Sequence, residues 1–208
     1  MNPMRERAKE HFPTVLLTLL SMVQALALEM LWSHIDNTGH LLEANGFVLI
    51  SWLQIIATLL GFVIIWVVYA SNVMRFSWVP ATTDSLYPFI IGLLEFLLVK
   101  TLGADWLGAW FVVMALIVAL MNWIAHITMR RARQDPDNEA FFRTRTPAKL
   151  SDFYAEIIVV SLLMLVGVYL MINPEVGAVA LLALLATIGL LAFLFYQAAR
   201  FWEHSIRE

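Results

Sequence analysis

Long apolar runs alternate with short polar connections along the whole chain, and this pattern predicts a membrane protein. Each run approaches the roughly 20 residues that a helix needs to cross a hydrocarbon core of about 30 Å, except the third, which is short. We therefore predict an all-α, polytopic membrane protein with six transmembrane helices, the first beginning at Pro13. The six runs are residues 13–34, 46–70, 86–102, 106–129, 150–172 and 175–199.

Positive charge is concentrated in alternate connections, and this distribution predicts the orientation of the chain. All but one of the 13 Lys and Arg residues precede the first run, follow the second, separate the fourth from the fifth, or follow the sixth. Six helices place these four segments on the same side, and basic residues favour the cytoplasmic side of a membrane. We expect both termini to be cytoplasmic, in the cell membrane of a bacterium.

The composition leaves no room for a separate soluble domain. Hydrophobic residues make up 61% of the 208 residues, so nearly all of the chain is transmembrane segment or short connection. Residues 1–208 are predicted to form a single membrane domain with a cytoplasmic loop at 130–149. Cysteine is absent, which excludes disulfides, thiol catalysis and thiolate metal sites. We expect no cofactor and no nucleic-acid partner.

Short matches between the two halves of the chain indicate an inverted repeat of three plus three helices. Ile91 to Leu97 agrees with Ile188 to Leu194 at six of seven positions, and weaker matches join the first run to the fourth and the second to the fifth. A repeated unit of three helices has opposite topologies in the membrane, as in many small transporters. The two units would be 13–102 and 106–199. Chance agreement between leucine-rich helices explains the same matches equally well.

Polar side chains within the apolar runs are the candidates for a functional site, because a charge at the bilayer centre costs at least about 2.5–3.5 kcal/mol. Glu95, near the middle of the third run, is the foremost candidate. If the polar faces converge, they form a pathway for protons or cations. In the alternative, the same groups hold helices together through hydrogen bonds, and Glu156 pairs with His126 or Arg130. The other pathway candidates are Glu29, Gln54, Asn122, His126 and Glu156.

The connection at 130–149 combines arginines with two phenylalanines and suggests a contact with the membrane surface. Anionic lipid headgroups attract a basic segment of this kind. The alternative is a solvated loop that only sets the orientation of the chain. The residues predicted to contact headgroups or the cytoplasm are Arg130, Arg131, Arg133, Arg143 and Arg145.

The pattern as a whole favours a channel or transporter that passes protons, cations or a small cation-coupled solute through a Glu/Gln/His-lined pathway. Two alternatives stay open. One is a non-transporting scaffold, sensor or assembly factor, and the other is a haem or metal redox protein using His126, the histidine that lies inside a predicted helix. An enzyme is less favoured, because no HExxH motif or hydrolase signature is present. Since small bundles often need further subunits to build a pathway, we expect a homo-oligomer in the lipid bilayer.

Overall fold

The computed structural model describes residues 3–42, 46–143, 146–173 and 177–207. Within these residues it contains helices and turns and no strand. Six of the helices form segments long and apolar enough to cross a membrane, so the prediction of an all-α, polytopic protein with six transmembrane helices is confirmed. The helices are α1 (Pro3–Asn37), α2 (Gly46–Arg75), α3 (Tyr87–Lys100), α4 (Leu107–Ala132), the short α5 (Glu139–Phe142), α6 (Tyr154–Ile172) and α7 (Gly177–Arg207).

The first helix begins earlier than the sequence predicts, at Pro3 rather than Pro13. Pro13 is buried inside α1, where its ring nitrogen cannot donate to the carbonyl of Lys9. The added turns are held by a contact outside the helix, because Lys9 Nζ donates to Asp135 Oδ1 over 2.6 Å. Helix α1 thus begins ten residues before Pro13, and the prediction from Pro13 was wrong.

The transmembrane helices form a bundle in which α7 packs mainly along α2 and α6 mainly along α4. Between these two pairs, α1 packs on α2 and α3, and α3 contacts α4. The core lies in the middle of the bundle, where Leu20, Ile91 and Trp110 are almost completely buried. Helices α6 and α7 consequently have broad faces toward lipid.

A pair of glycines lets α4 and α6 approach closely. A Cβ placed on Gly108 would lie 2.7 Å from the carbonyl oxygen of Gly167, and one placed on Gly167 would lie 2.8 Å from that of Gly108. Both distances are shorter than any normal contact, so neither position accepts a side chain without movement of the backbone. Close packing of this kind drives helix association in lipid, where apolar burial gives little driving force.

Four polar segments meet at one face of the bundle, as the charge pattern predicts. Lys9 near the start of α1 contacts the connection between α4 and α6. Arg131 on α4 forms an ion pair with Asp84, which lies in the connection between α2 and α3. Arg75 at the end of α2 lies over the ring of Phe201 on α7, 4.1 Å from its centroid. We call this end of the bundle, with both termini and these residues, the basic face. The other end is the opposite face.

The inverted repeat is not confirmed. In residues 13–102, α1 packs more extensively against α3 than against α2, whereas in residues 106–199, α4 packs mainly against α6, the second helix of that half. The two halves therefore build their contacts from different helix pairs.

The predicted loop at 130–149 folds against the end of α2. Helix α4 continues to Ala132, and the two phenylalanines of α5 pack on Phe76, with ring centroids 5.1 and 5.7 Å away. Asn138 Nδ2 donates to the carbonyl oxygen of Ser77 over 2.6 Å. The aromatic rings of this connection therefore pack within the protein, and a contact of its arginines with headgroups or the cytoplasm stays a prediction.

We expect Gly167→Ala to lower the stability of the purified protein by about 1–3 kcal/mol, because the added methyl group meets the backbone of α4. Gly189→Ala is the matched control, since no atom lies within 4 Å of the position that its Cβ would take. Unfolding in detergent, followed by tryptophan fluorescence, measures both variants. Equal stability of the two would contradict the close contact between α4 and α6.

Candidate functional site

Glu95 and Gln24 form a hydrogen-bonded pair in the middle of the bundle. Glu95 on α3 is fully buried, and Gln24 on α1 is 6% exposed. Gln24 Nε2 donates to Glu95 Oε1 over 2.7 Å and to the carbonyl oxygen of Phe62 on α2 over 3.0 Å. Both hydrogens of the amide are used, so the amide has one orientation. Because Gln24 and Phe62 are near the middle of their helices, the pair lies deep in the membrane.

A close approach of α1 and α3 brings this pair together. Gly92 packs directly on Val23, and a Cβ placed on Gly92 would lie 1.8 Å from Val23 Cγ1. Gln24 follows Val23 in α1, and Glu95 lies one helical turn beyond Gly92 in α3. The small residue therefore lets a side chain on one helix reach its partner on the other.

The second carboxyl oxygen of Glu95 has no hydrogen-bond partner among the described residues. Glu95 Oε2 is buried from solvent. Glu156 Oε2 is also buried and also has no hydrogen-bond partner among the described residues. Leaving a buried polar atom unpaired costs about 1–3 kcal/mol, and proteins rarely keep one without a reason. An unpaired carboxyl oxygen at this depth is suited to take up a proton or a small cation.

A groove lies beside the Glu95 and Gln24 pair, and a small cavity lies further toward the basic face. A groove of about 290 Å³ opens between α1 and α2, and its lining includes Gln24 and Phe62. Toward the basic face, a cavity of about 20 Å³ lies between α1, α2, α3 and α4, lined by Asp84 and Tyr87 among others. That volume holds about one water molecule.

Ile91 lies between the small cavity and Glu95 along α3. Its side chain is 1% exposed, and Tyr87, Ile91 and Glu95 occupy one face of the helix at steps of four residues. Tyr87 and Glu95 are therefore separated by two turns, about 12 Å along the helix axis. An apolar side chain closes the direct route between the basic face and the carboxyl group.

Gln54 is bonded to the turn between α3 and α4. Gln54 Nε2 donates to the carbonyl oxygen of Thr101 (3.1 Å), and Gln54 Oε1 accepts from the backbone N–H of Gly103 (2.9 Å). One turn along α2, the Thr58 hydroxyl accepts from Trp110 Nε1 over 3.0 Å. Gly103 has a φ of +116°, which only glycine adopts easily. These bonds are the interhelical hydrogen bonding that the sequence offered as an alternative to a pathway.

Asn122, His126 and Glu156 line a separate crevice of about 590 Å³ between α4 and α6. The ring of His126 packs edge-on against Phe153, with centroids 5.1 Å apart. In the described part of the chain, no hydrogen bond or ion pair joins Glu156 to His126 or to Arg130, so the predicted pairing of Glu156 is not found. The three predicted residues share a crevice without contacting one another through polar atoms.

The six candidates therefore do not form one row across the membrane. Glu29 is exposed on the surface of α1, Gln54 serves a turn, and Glu95 belongs to the buried pair with Gln24. Gln24 was not among the predicted residues. Its signal was an amide in the middle of an apolar run, which becomes informative only when its partner is known.

The five predicted arginines have different surroundings. Arg131 forms an ion pair with a buried aspartate between α2 and α3. Arg133 donates a hydrogen bond to the connection that precedes α6. Arg130 and Arg143 are exposed, and Arg145 lies outside the described residues.

Neither a metal-binding group in the described part of the chain nor a similar known protein indicates a function for this chain. Among the described residues, no group of three or more His, Asp or Glu side chains could hold a metal ion. The chain matches no known protein family, no curated protein and no solved structure at a significant level.

We expect Gln54→Leu to lower stability by about 1–3 kcal/mol, because the change leaves the Thr101 carbonyl and the Gly103 N–H without their partner. Gln197→Leu removes an amide from an exposed position of α7 and should change stability little. Thermal unfolding in detergent compares the two variants with the wild type. A Gln54→Leu protein as stable as Gln197→Leu would mean that these bonds contribute nothing to the fold.

Proposed function

We propose that this protein is a channel or transporter for protons, cations or a small cation-coupled solute, located in a bacterial cell membrane with the basic face cytoplasmic. The observation that carries the proposal is the carboxyl group of Glu95, fully buried at mid-depth with one oxygen unpaired among the described residues. The orientation rests on the basic residues at that face. Intramembrane carboxyl groups are typical of proton relays and ion pathways.

The two oxygens of Glu95 have different roles in this proposal. Oε1 is held by Gln24, whose amide is itself fixed by the carbonyl of Phe62. Oε2 is the atom that takes up and releases the proton or cation. A bare carboxylate is costly in a low-dielectric site, so the group is stable there when it carries a proton or a cation. Uptake and release are then tied to exposure of Oε2 to water.

Closure at Ile91 favours a transporter or a gated channel over an open pore. In this proposal the cavity near Asp84 and Tyr87 gives access from the basic face, and the groove beside Gln24, between α1 and α2, gives the second access. A movement of α1 against α2 and α3 would widen one opening while the other stays closed. Glu95 would then exchange its proton or cation with one side at a time.

A non-transporting scaffold or assembly factor is the second candidate. It is favoured by the way Gln24 uses both amide hydrogens to join α1, α2 and α3. In that case the Glu95 carboxyl acts only as a hydrogen-bond acceptor between helices, which an amide oxygen replaces without loss.

We expect Glu95→Gln to abolish flux, with at least a tenfold loss, in proteoliposomes that carry a pH-sensitive dye and an imposed K⁺ or Na⁺ gradient. The substituted amide still offers an oxygen to Gln24, but it takes up no proton near neutral pH and has no negative charge to attract a cation. Glu29→Gln is the matched control, because it removes one carboxylate from an exposed position of α1. A folded Glu95→Gln protein with normal flux, or no flux in the wild type, would favour the scaffold.

We expect Ile91→Ala to raise flux several-fold by opening the apolar closure between the small cavity and Glu95. Ile90→Ala is its control, since Ile90 is 41% exposed on the same helix and does not face the carboxyl group. The same liposome assay measures both. Unchanged flux in Ile91→Ala, with intact folding, would show that ions do not pass along this face of α3.

A further inference from the structure

Two cavities lie side by side at the basic face, between α4, α6 and the connection that links them. The crevice of about 590 Å³ between the helices and a second cavity of about 800 Å³ nearer the basic face share His126 and Ala148 in their walls. The crevice is lined mainly by apolar side chains, including Trp123 and Val160. The two cavities are adjacent, and we call them together the joined cavity, with an apolar inner part and a polar mouth.

Two arginines line the mouth of the joined cavity. Arg130 lies in the last turn of α4, and Arg133 directly follows the helix. Because they are three residues apart, both side chains lie on the helix face toward the cavity. Arg133 is held in place by the ring of Phe142 at 4.6 Å and by a hydrogen bond to the carbonyl oxygen of Thr146. Arg130 has no carboxylate partner among the described residues, in contrast to Arg131, which Asp84 neutralises. The mouth therefore offers two guanidinium groups.

Two carboxylates near the joined cavity offset part of this charge. Asp152 lines the mouth, where its Oδ2 accepts from the backbone N–H of Lys149 over 2.9 Å, within the turn that precedes α6. Glu156 lines the crevice, as does Lys149. Three cationic side chains, Arg130, Arg133 and Lys149, therefore stand against two carboxylates.

We propose that the joined cavity binds an anionic phospholipid, with its phosphate held by Arg130 and Arg133 and an acyl chain in the crevice between α4 and α6. Arginine pairs phosphate oxygens in a bidentate manner, and basic pockets between transmembrane helices suit anionic headgroups. The volumes are those of ordinary ligand sites. A free phosphate would leave the apolar crevice unfilled, and an apolar solute would leave the arginines unused. This site is independent of Glu95 and of the proposed transport.

In the first test, phosphatidylglycerol is titrated into the detergent-solubilised protein, and the melting temperature of the protein is measured at each lipid concentration. We expect the Arg130→Gln/Arg133→Gln protein to need at least tenfold more lipid for half-maximal stabilisation, since each arginine contributes about fivefold. Arg5→Gln/Arg7→Gln is the control, because it removes two charges from exposed positions of α1 outside the cavity. Arg130→Gln alone, at an exposed position, gives a second variant that should fold normally and lose about fivefold.

Three further arms identify the ligand. Phosphatidylcholine should stabilise the wild type at least tenfold less effectively than phosphatidylglycerol, and inorganic phosphate should have no effect at the same concentrations. Val160→Trp, which fills the apolar crevice, should weaken the response to phosphatidylglycerol while both arginines are present. The proposal is overturned if inorganic phosphate stabilises equally well, if the two lipids act alike, or if the arginine variants respond as the control does.

Discussion

The membrane interior offers no hydrogen-bonding partner of its own, and the arrangement of this bundle depends on how its few intramembrane polar side chains meet that constraint. Gln24 and Gln54 meet it by bonding to backbone carbonyls on neighbouring helices. Thr58 meets it by accepting a hydrogen bond from the indole N–H of Trp110. Glu95 is an exception, because its Oε2 has no partner in the part of the chain that the structure describes. Buried polar atoms without a partner are rare, and a functional role is one explanation for them.

Glycine determines which helices come close enough for these bonds to form. Gly92 lets α1 lie against α3, so that Gln24 reaches Glu95. Gly108 and Gly167 join α4 to α6 toward the opposite face, and the crevice between the same two helices lies nearer the basic face. A tight contact and a cavity therefore occur along one helix pair.

The charged residues at the basic face have different surroundings. Lys9 and Arg131 are paired with aspartates and fasten the termini and connections to one another. Arg130 and Arg133 instead line a cavity. One short arginine-rich segment thus contributes both to the fold and to a surface that suits anionic lipid.

The sequence by itself determined the number of helices, their approximate limits, the clustering of basic segments at one face and the candidacy of Glu95, because hydropathy and charge act along the chain. The tertiary structure decided the start of α1, the partner of Glu95 and the separation of Glu95 from His126 and Glu156. These features depend on which helix faces meet, and periodicity gives the face of each helix but not its neighbour. A glycine or an amide acquires its role only from the residue packed against it.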